Sequence, residues 1–351
     1  LGLAIEGGGI VIKNYSNAMI SDVIVESNKA QSVGGILISS SSPILNNIEV
    51  LNNESVYYDA GGIYVGSYSA PEINNSNISN NVGGNYATSG VHADGIIITN
   101  NPNLYGTVYT TTLNNVEIFA HDLGLGITSY SKVNLMDVFI FDNTHGLHMG
   151  DSDASIGSEV MLDNVNIFSN EDRGLTINGA PELEIKNVTI SDNQVGLSLT
   201  HSSQYQSFTL DGKNMKISHN IHGVTLYHLG EYRLTLNNFL IVENMGAAIA
   251  GYNALSGEVA IINSTISDNT CEFCTNDDMN GKNVIEVKNE KLIIKNSIIG
   301  NIFHENFIRM LPSWETGSGL ILVDYSNIIG GQGVIIEDED IEIVWGMDNI
   351  N

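Results

Sequence analysis

The stretch Asn187-Val188-Thr189-Ile190-Ser191-Asp192-Asn193 returns as Asn214-Met215-Lys216-Ile217-Ser218-His219-Asn220 and again as Asn238-Phe239-Leu240-Ile241-Val242-Glu243-Asn244. One seven-residue frame, Asn/Asp-x-x-Ile/Val-x-x-Asn, therefore repeats with an aliphatic side chain at its centre and an amide at its end. It also occupies 22–28, 47–53, 75–81, 137–143, 164–170 and 263–269, and a variant at 115–121 closes on His121 instead of Asn. A few residues after most copies a glycine leads an alternating apolar run, as in Gly35-Ile36-Leu37-Ile38, Gly62-Ile63-Tyr64-Val65, Gly146-Leu147-His148-Met149 and Gly223-Val224-Thr225-Leu226. Where no insertion intervenes, at Gly146, Gly174, Gly196 and Gly223, these glycines lie 22 to 28 residues apart, one solenoid turn per repeat.

Period-two alternation sends every second side chain of a strand to one face, and a single coil cannot bury that face alone. Stacking coils at the strand spacing of about 4.8 Å does bury it. The fold class is all-β, a right-handed parallel β-helix of about twelve coils in a single domain over 1–351. Ile167, Ile190, Ile217 and Ile241 are expected in one buried column. The Asn that ends each frame is expected at a left-handed turn, stacked on its equivalents, and the glycine at a tight bend. A propeller or sandwich would need hairpins, and hairpin-type dipeptides such as Asp211-Gly212 are sparse in the chain. Insertions interrupt the period near 82–112, 270–283 and 302–318. The last, with Phe303, Phe307 and Trp314, reads as a loop or short helix on the flank, whose aromatic rings are alternatively placed to stack on sugars.

Composition limits the partners. Against 40 Asp+Glu stand 13 Lys+Arg, and the net charge of -27 repels phosphate backbones and anionic headgroups, so nucleic acid is excluded as a partner. No run of about 18 apolar residues marks a membrane-spanning segment. The opening Leu1-Gly2-Leu3 reads as the start of a processed or excised chain.

The segments Gly34-Gly35-Ile36-Leu37 and Gly61-Gly62-Ile63-Tyr64, with the Asn-ended frames, resemble bacterial pectin-lyase-like β-helix proteins and the repeats of polymorphic outer-membrane proteins. Tyr325-Ser326-Asn327-Ile328-Ile329-Gly330-Gly331 and the closing Asn349-Ile350-Asn351 are similar to the last coils of large secreted β-helix proteins. The resemblance implies a segment of a longer secreted or cell-surface protein. Enzymes of this fold act on polysaccharides, yet the Gly-His-Gly and Arg-x-Lys of polygalacturonase-like hydrolases are absent. The three arginines, Arg173, Arg233 and Arg309, sit in no lyase-like pattern.

The remaining chemistry is a strip of outward positions on the Gly-led strands, His148, Thr176, Ser198 and Thr225, expected as a hydrated polar face. Candidate acid-base residues in and beside it are His148, Asp151, Asp153, His201 and His228. Asp151 and Asp153 are also the candidate calcium ligands, since alternate carboxylates can converge on one ion, although Ile156 and Leu162 break the helix-loop-helix calcium pattern. No other cofactor is implied. Cys271 and Cys274 are expected to form a loop-pinning disulfide in an oxidising compartment. The functional expectation is a non-catalytic secreted or cell-surface rod, a spacer, adhesin or carbohydrate-binding segment whose partner is a polysaccharide or surface glycan. The alternative is a polysaccharide lyase or glycoside hydrolase working on a lateral face.

Overall fold

A computed structural model of the chain describes residues 5–57, 60–84, 94–99, 109–128, 130–150, 158–179, 182–200, 206–227, 231–252, 256–270, 284–288, 291–300, 308–311, 318–336, 340–346, 348 and 349. The chain divides into two compact units, Leu1–Glu184 and Ile185–Asn351. In the first, seven Gly-led strands pair in parallel, from Ile10–Ile12 through Ile36–Ile38, Ile63–Val65, Ile96–Ile98, Leu123–Ile127 and His145–Met149 to Arg173–Asn178. In the second the equivalent strands number six, from Val195–Thr200 through His222–Tyr227, Ile249–Tyr252, Ile285–Lys288 and Ile308–Leu311 to Ile335–Ile336, and the first two carry the glycine. Each coil is completed by a longer stretch of strand, such as Thr110–Phe119 or Lys132–Phe141, paired in parallel with its equivalents. The number of rungs is close to the dozen coils expected. Among the described residues the one helix is the short 3-10 turn Gly331–Val334, and none is long and apolar enough to cross a membrane.

The frame explains how a long strand turns a corner. In Thr110–Phe119 the inward residues are Thr111 and Leu113 before Asn115, then Val116 and Ile118 after it. Parity shifts by one at Asn115, whose φ of 53° is left-handed. A single left-handed residue rotates the chain so that both halves keep their aliphatic row inside. The same frame position is left-handed in every copy, for instance Asp22, Asn47, Asp137, Asn187 and Asn263, and Asn and Asp are the non-glycine residues that adopt this conformation at least cost. Their exposed amides also bond across coils, Asn75 Nδ2 donating to Asn46 Oδ1 at 2.9 Å and Asn115 Nδ2 to Asn75 Oδ1 at 3.0 Å.

The final Asn of the frame plays a different part from the one expected. It is not left-handed; the residue before it is, as at Asn52, Asp142, Asp192 and His219. The Asn itself points inward and is buried, with Asn53, Asn220, Asn244 and Asn269 at 0% exposure. Its side-chain N–H closes the corner by donating to the carbonyl two residues back, as Asn143 does to Phe141 O at 2.9 Å and Asn193 to Ser191 O at 2.8 Å. It also donates to the next coil, Asn193 Nδ2 to Asn220 Oδ1 at 2.9 Å and Asn220 Nδ2 to Asn244 Oδ1 at 3.0 Å. These bonds, rather than the propensity of the sixth residue, impose the left-handed corner, which is why Glu243 and His219 both occur there.

The glycines are likewise retained for close approach. Gly35, Gly62, Gly146 and Gly223 are absent from the residues with positive φ. A Cβ on Gly146 would lie 2.5 Å from Gly174 O and 3.0 Å from the Asn170 amide, so the Gly column and the Asn ladder pack directly on each other.

The aliphatic columns are as expected. Ile190, Ile217 and Ile241 are adjacent in register and buried, and Ile167 is buried beside Ile140 in the first unit. Trimming one methyl in such a column, Ile217→Val, should cost about 1 kcal/mol in a urea titration. Outside, the fifth frame residues Phe119, Phe141 and Phe168 stack at 5.0 Å between ring centroids. Both faces of Phe141 are used by its neighbours, which adds roughly 0.5–1.5 kcal/mol per pair.

Two of the expected insertions contain rungs. Ile96–Ile98 lies within 82–112 and pairs with Ile63–Val65 and Leu123–Ile127, while Ile308–Leu311 lies within 302–318 and pairs with Ile285–Lys288. The Arg-Met-Leu segment is thus a strand and not a loop or helix, because Ile308 and Met310 fill the inner column. Phe303, Phe307 and Trp314 lie outside the described residues.

Candidate functional site

The outward positions of the Gly-led strands align in register within each unit. In the first they run Leu37, Tyr64, Ile97, Gly126, His148 and Thr176. In the second they run Ser198, Thr225, Ala250, Glu286 and Arg309. The expected strip exists as aligned columns, but it is not a hydrated face. Thr176 is 5% exposed, Ser198 and Thr225 are 0% and Glu286 is 2%. In the first unit Ile97 is covered by Ala60 and Leu123, with Tyr64 packed against this outer cluster. An outward residue of a solenoid is wet only where nothing lies over it, and strand alternation alone does not report the cover.

Two hydroxyls in the second unit are distinctive. Ser198 Oγ and Thr225 Oγ1 are directly opposite one another on paired strands, fully buried, and have no hydrogen-bond partner. A buried unsatisfied polar atom costs about 1–3 kcal/mol, so the pair is a local cost to the stability of these rungs. Two coils further along the column stand Glu286 and Arg309, opposed on adjacent strands. Opposed residues on paired strands bring their Cβ atoms to roughly 5 Å, close enough for a charged pair. Neither was singled out from sequence as a strip residue; the signal was Ile285-Glu286-Val287 and Ile308-Arg309-Met310, apolar-charged-apolar alternation hidden beside the insertions.

His148 is half-buried in the first unit's column, and its Nε2 lies 3.1 Å from the carbonyl oxygen of Gly150. A carbonyl only accepts, so Nε2 carries the hydrogen in this bond. Asp151, Asp153, His201 and His228, together with Cys271 and Cys274, lie outside the described residues. Elsewhere in the first unit Asp172 Oδ2 sits 3.4 Å from His145 Nδ1 and 3.6 Å from Arg173 Nε, a half-exposed group worth little to stability. An open groove of about 350 Å³ on the outer face of the long strands is lined by Lys132, Asn134, Glu159, Met161, Glu182 and Glu184. In it Lys132 pairs with Glu159. At the start of its strand, His222 keeps a buried Nδ1 without a hydrogen bond, and burial pushes its pKa below the usual histidine value. Among the described residues no three His, Cys, Asp or Glu side chains are grouped to hold a metal ion.

Comparison with known proteins agrees on the architecture. A family model described as the right-handed β-helix region matches residues 85–239. Among solved structures, the A-module of the mannuronan C-5 epimerase AlgE6 of Azotobacter vinelandii aligns with a TM-score of 0.59 at 13% identity, covering 95% of this chain and 90% of that one. The periplasmic alginate epimerase AlgG aligns at 0.50 with 12% identity, covering 96% and 80%. No curated protein matches the sequence. The chain has the right-handed parallel β-helix fold.

Proposed function

We propose that this β-helix is a non-catalytic polysaccharide-binding rod of a secreted or cell-surface protein, and that it takes its ligand along the outer face of the Gly-led strands. The observation that carries the proposal is the first unit's outward column, where the partly exposed Tyr64 and His148 stand on either side of Ile97 and Gly126 and offer an aromatic ring and an imidazole to a sugar. The two structural neighbours are named as alginate epimerases, which supports a polysaccharide as the ligand class. A net charge of -27 favours a neutral glycan over a polyuronate, unless a cation bridges the two. Asp151 and Asp153 remain our proposed calcium ligands for that case, and Cys271 with Cys274 our proposed disulfide.

Titration calorimetry against neutral and acidic polysaccharides, with and without calcium, tests the proposal when run beside assays for unsaturated products, new reducing ends and C-5 inversion. Binding without turnover is expected, weakened about 10-fold by either Tyr64→Ala or His148→Ala, the worth of one ring contact. Absence of binding across the panel, or unchanged affinity in both variants, would overturn it. A catalytic second reading is favoured by the neighbours' activity and by His148 in the first unit's column. Turnover abolished by His148→Ala would establish that reading instead.

A further inference from the structure

The buried amide ladder of the first unit contains one imidazole. His121 takes the place of the frame's last Asn and closes the coil that begins at Asn81, 40 residues earlier. The ladder has a direction, because each Asn donates its side-chain N–H toward the following coil, as Asn53 Nδ2 does to Asn81 Oδ1 at 2.9 Å and Asn143 Nδ2 to Asn170 Oδ1 at 3.0 Å. Asn81 Oδ1 is thus already an acceptor. One N–H of Asn81 Nδ2 goes to Val50 O at 2.9 Å, and the other is left to meet His121 Nε2 at 3.3 Å. Nε2 must therefore be the bare nitrogen. On the far side His121 Nδ1 stands 3.2 Å from Asn143 Oδ1, which also accepts from the His121 backbone N–H at 3.1 Å, so Nδ1 carries the hydrogen.

We propose that His121 is an acid-operated break in this ladder: a proton taken up at Nε2 sets two donors against each other across the Asn81–His121 step and opens the coil that the step closes. The ring has nowhere to place the added charge. It is 6% exposed, and its hydrogen bonds run to two amides. The carboxylates on the adjoining turns are Asp94, Asp122 and Asp142. Asp94 accepts from the backbone N–H groups of Gly83 and Asp122, and Asp122 and Asp142 are exposed. Glu72, Glu117, Lys132 and Asp137, on the strands packed around this step, are exposed or half-exposed on the outer face. His145, which opens the following Gly-led strand, faces Asp172.

Burial lowers the His121 pKa from 6.5 to about 4, with the Asn143 bond opposing this in part. Because the folded value is depressed, the unfolded chain binds the proton first as pH falls. The stability held by the neutral ring is complete above pH 6.5, declines below it and is fully lost under pH 4. The whole interval corresponds to about a 300-fold rise in the unfolding constant. The coil affected carries the Leu123–Ile127 strand, so loosening it also disturbs the outward column at Gly126, between Ile97 and His148.

Nitrogen NMR of the ring in the whole chain, together with acid unfolding of His121→Asn, tests the proposal. The expected result at pH 7 is a neutral ring protonated at Nδ1 and bare at Nε2, titrating far below pH 6.5. His121→Asn restores a continuous amide ladder, and its unfolding constant should rise roughly 50-fold less than the parent's between pH 7 and pH 4.5. A ring protonated at Nε2, a titration near the ordinary histidine value, or an acid dependence unchanged in the variant would each overturn it. Should the variant not fold, the ring titration in the parent protein decides.

Discussion

Replacing Asn220 by Asp is expected to destabilise the chain by about 3–5 kcal/mol at pH 7, the cost of a buried charge without a counter-ion. The change is nearly isosteric, so the loss reports chemistry and not volume. Asn220 is 0% exposed, and its Nδ2 donates to Ile190 O at 3.2 Å, Ser218 O at 3.0 Å and Asn244 Oδ1 at 3.0 Å. Its Oδ1 already accepts from Asn193 Nδ2 at 2.9 Å. An aspartate there would turn an oxygen toward three acceptors, of which Asn244 Oδ1 keeps only the Asn220 backbone N–H at 3.0 Å. Its folded pKa would be raised, so the deficit should be smallest below about pH 3.9 and grow as pH rises through the folded value. Urea titrations at pH 4 and pH 7 check both the size and the trend. Equal stability to the parent at pH 7 would show that the ladder is not a determinant of the fold.

Gly62→Ala should cost about 3 kcal/mol, at the upper end of what overpacking does, because the obstacle is backbone. The added Cβ would lie 2.3 Å from Gly95 O, 3.0 Å from Asn81 Nδ2 and 3.2 Å from Ile78 Cγ2. None of these can move alone, since Gly95 is in the next rung and Asn81 belongs to the ladder. The control is Gly333→Ala, whose Cβ would meet nothing within 4 Å and should change stability by less than about 0.5 kcal/mol. Thermal unfolding of the pair separates loss of glycine flexibility from loss of coil-to-coil contact. Equal shifts in both variants would refute the close-packing account.

The frame and the glycine were readable as a solenoid because each coil repeats the same local problem, a corner followed by an inward aliphatic. The inward column of Ile190, Ile217 and Ile241 followed directly from that repetition. The division of labour at the corner was not readable. Both the left-handed Asn187 and the buried Asn193 are asparagines, and only the backbone angle and the hydrogen bonds separate a residue chosen for its φ from one chosen for its amide. Rungs beside insertions were also missed, because Ile96–Ile98 and Ile308–Leu311 are short and lack the spacing that marks the others.

The candidate site divides in the same way. Alternation in the sequence determined that His148, Thr176, Ser198 and Thr225 share the outward side, since parity along a strand is a local property. Tertiary structure alone decided that most of this side is dry and that Ser198 and Thr225 are left without partners. It also placed Glu286 and Arg309 in the same column and put an imidazole inside a directed amide ladder. The physical reason is one of range. Periodicity records which way a side chain points from its own backbone, whereas burial and hydrogen bonding depend on what the neighbouring coils, about 25 residues away in the chain, bring to meet it.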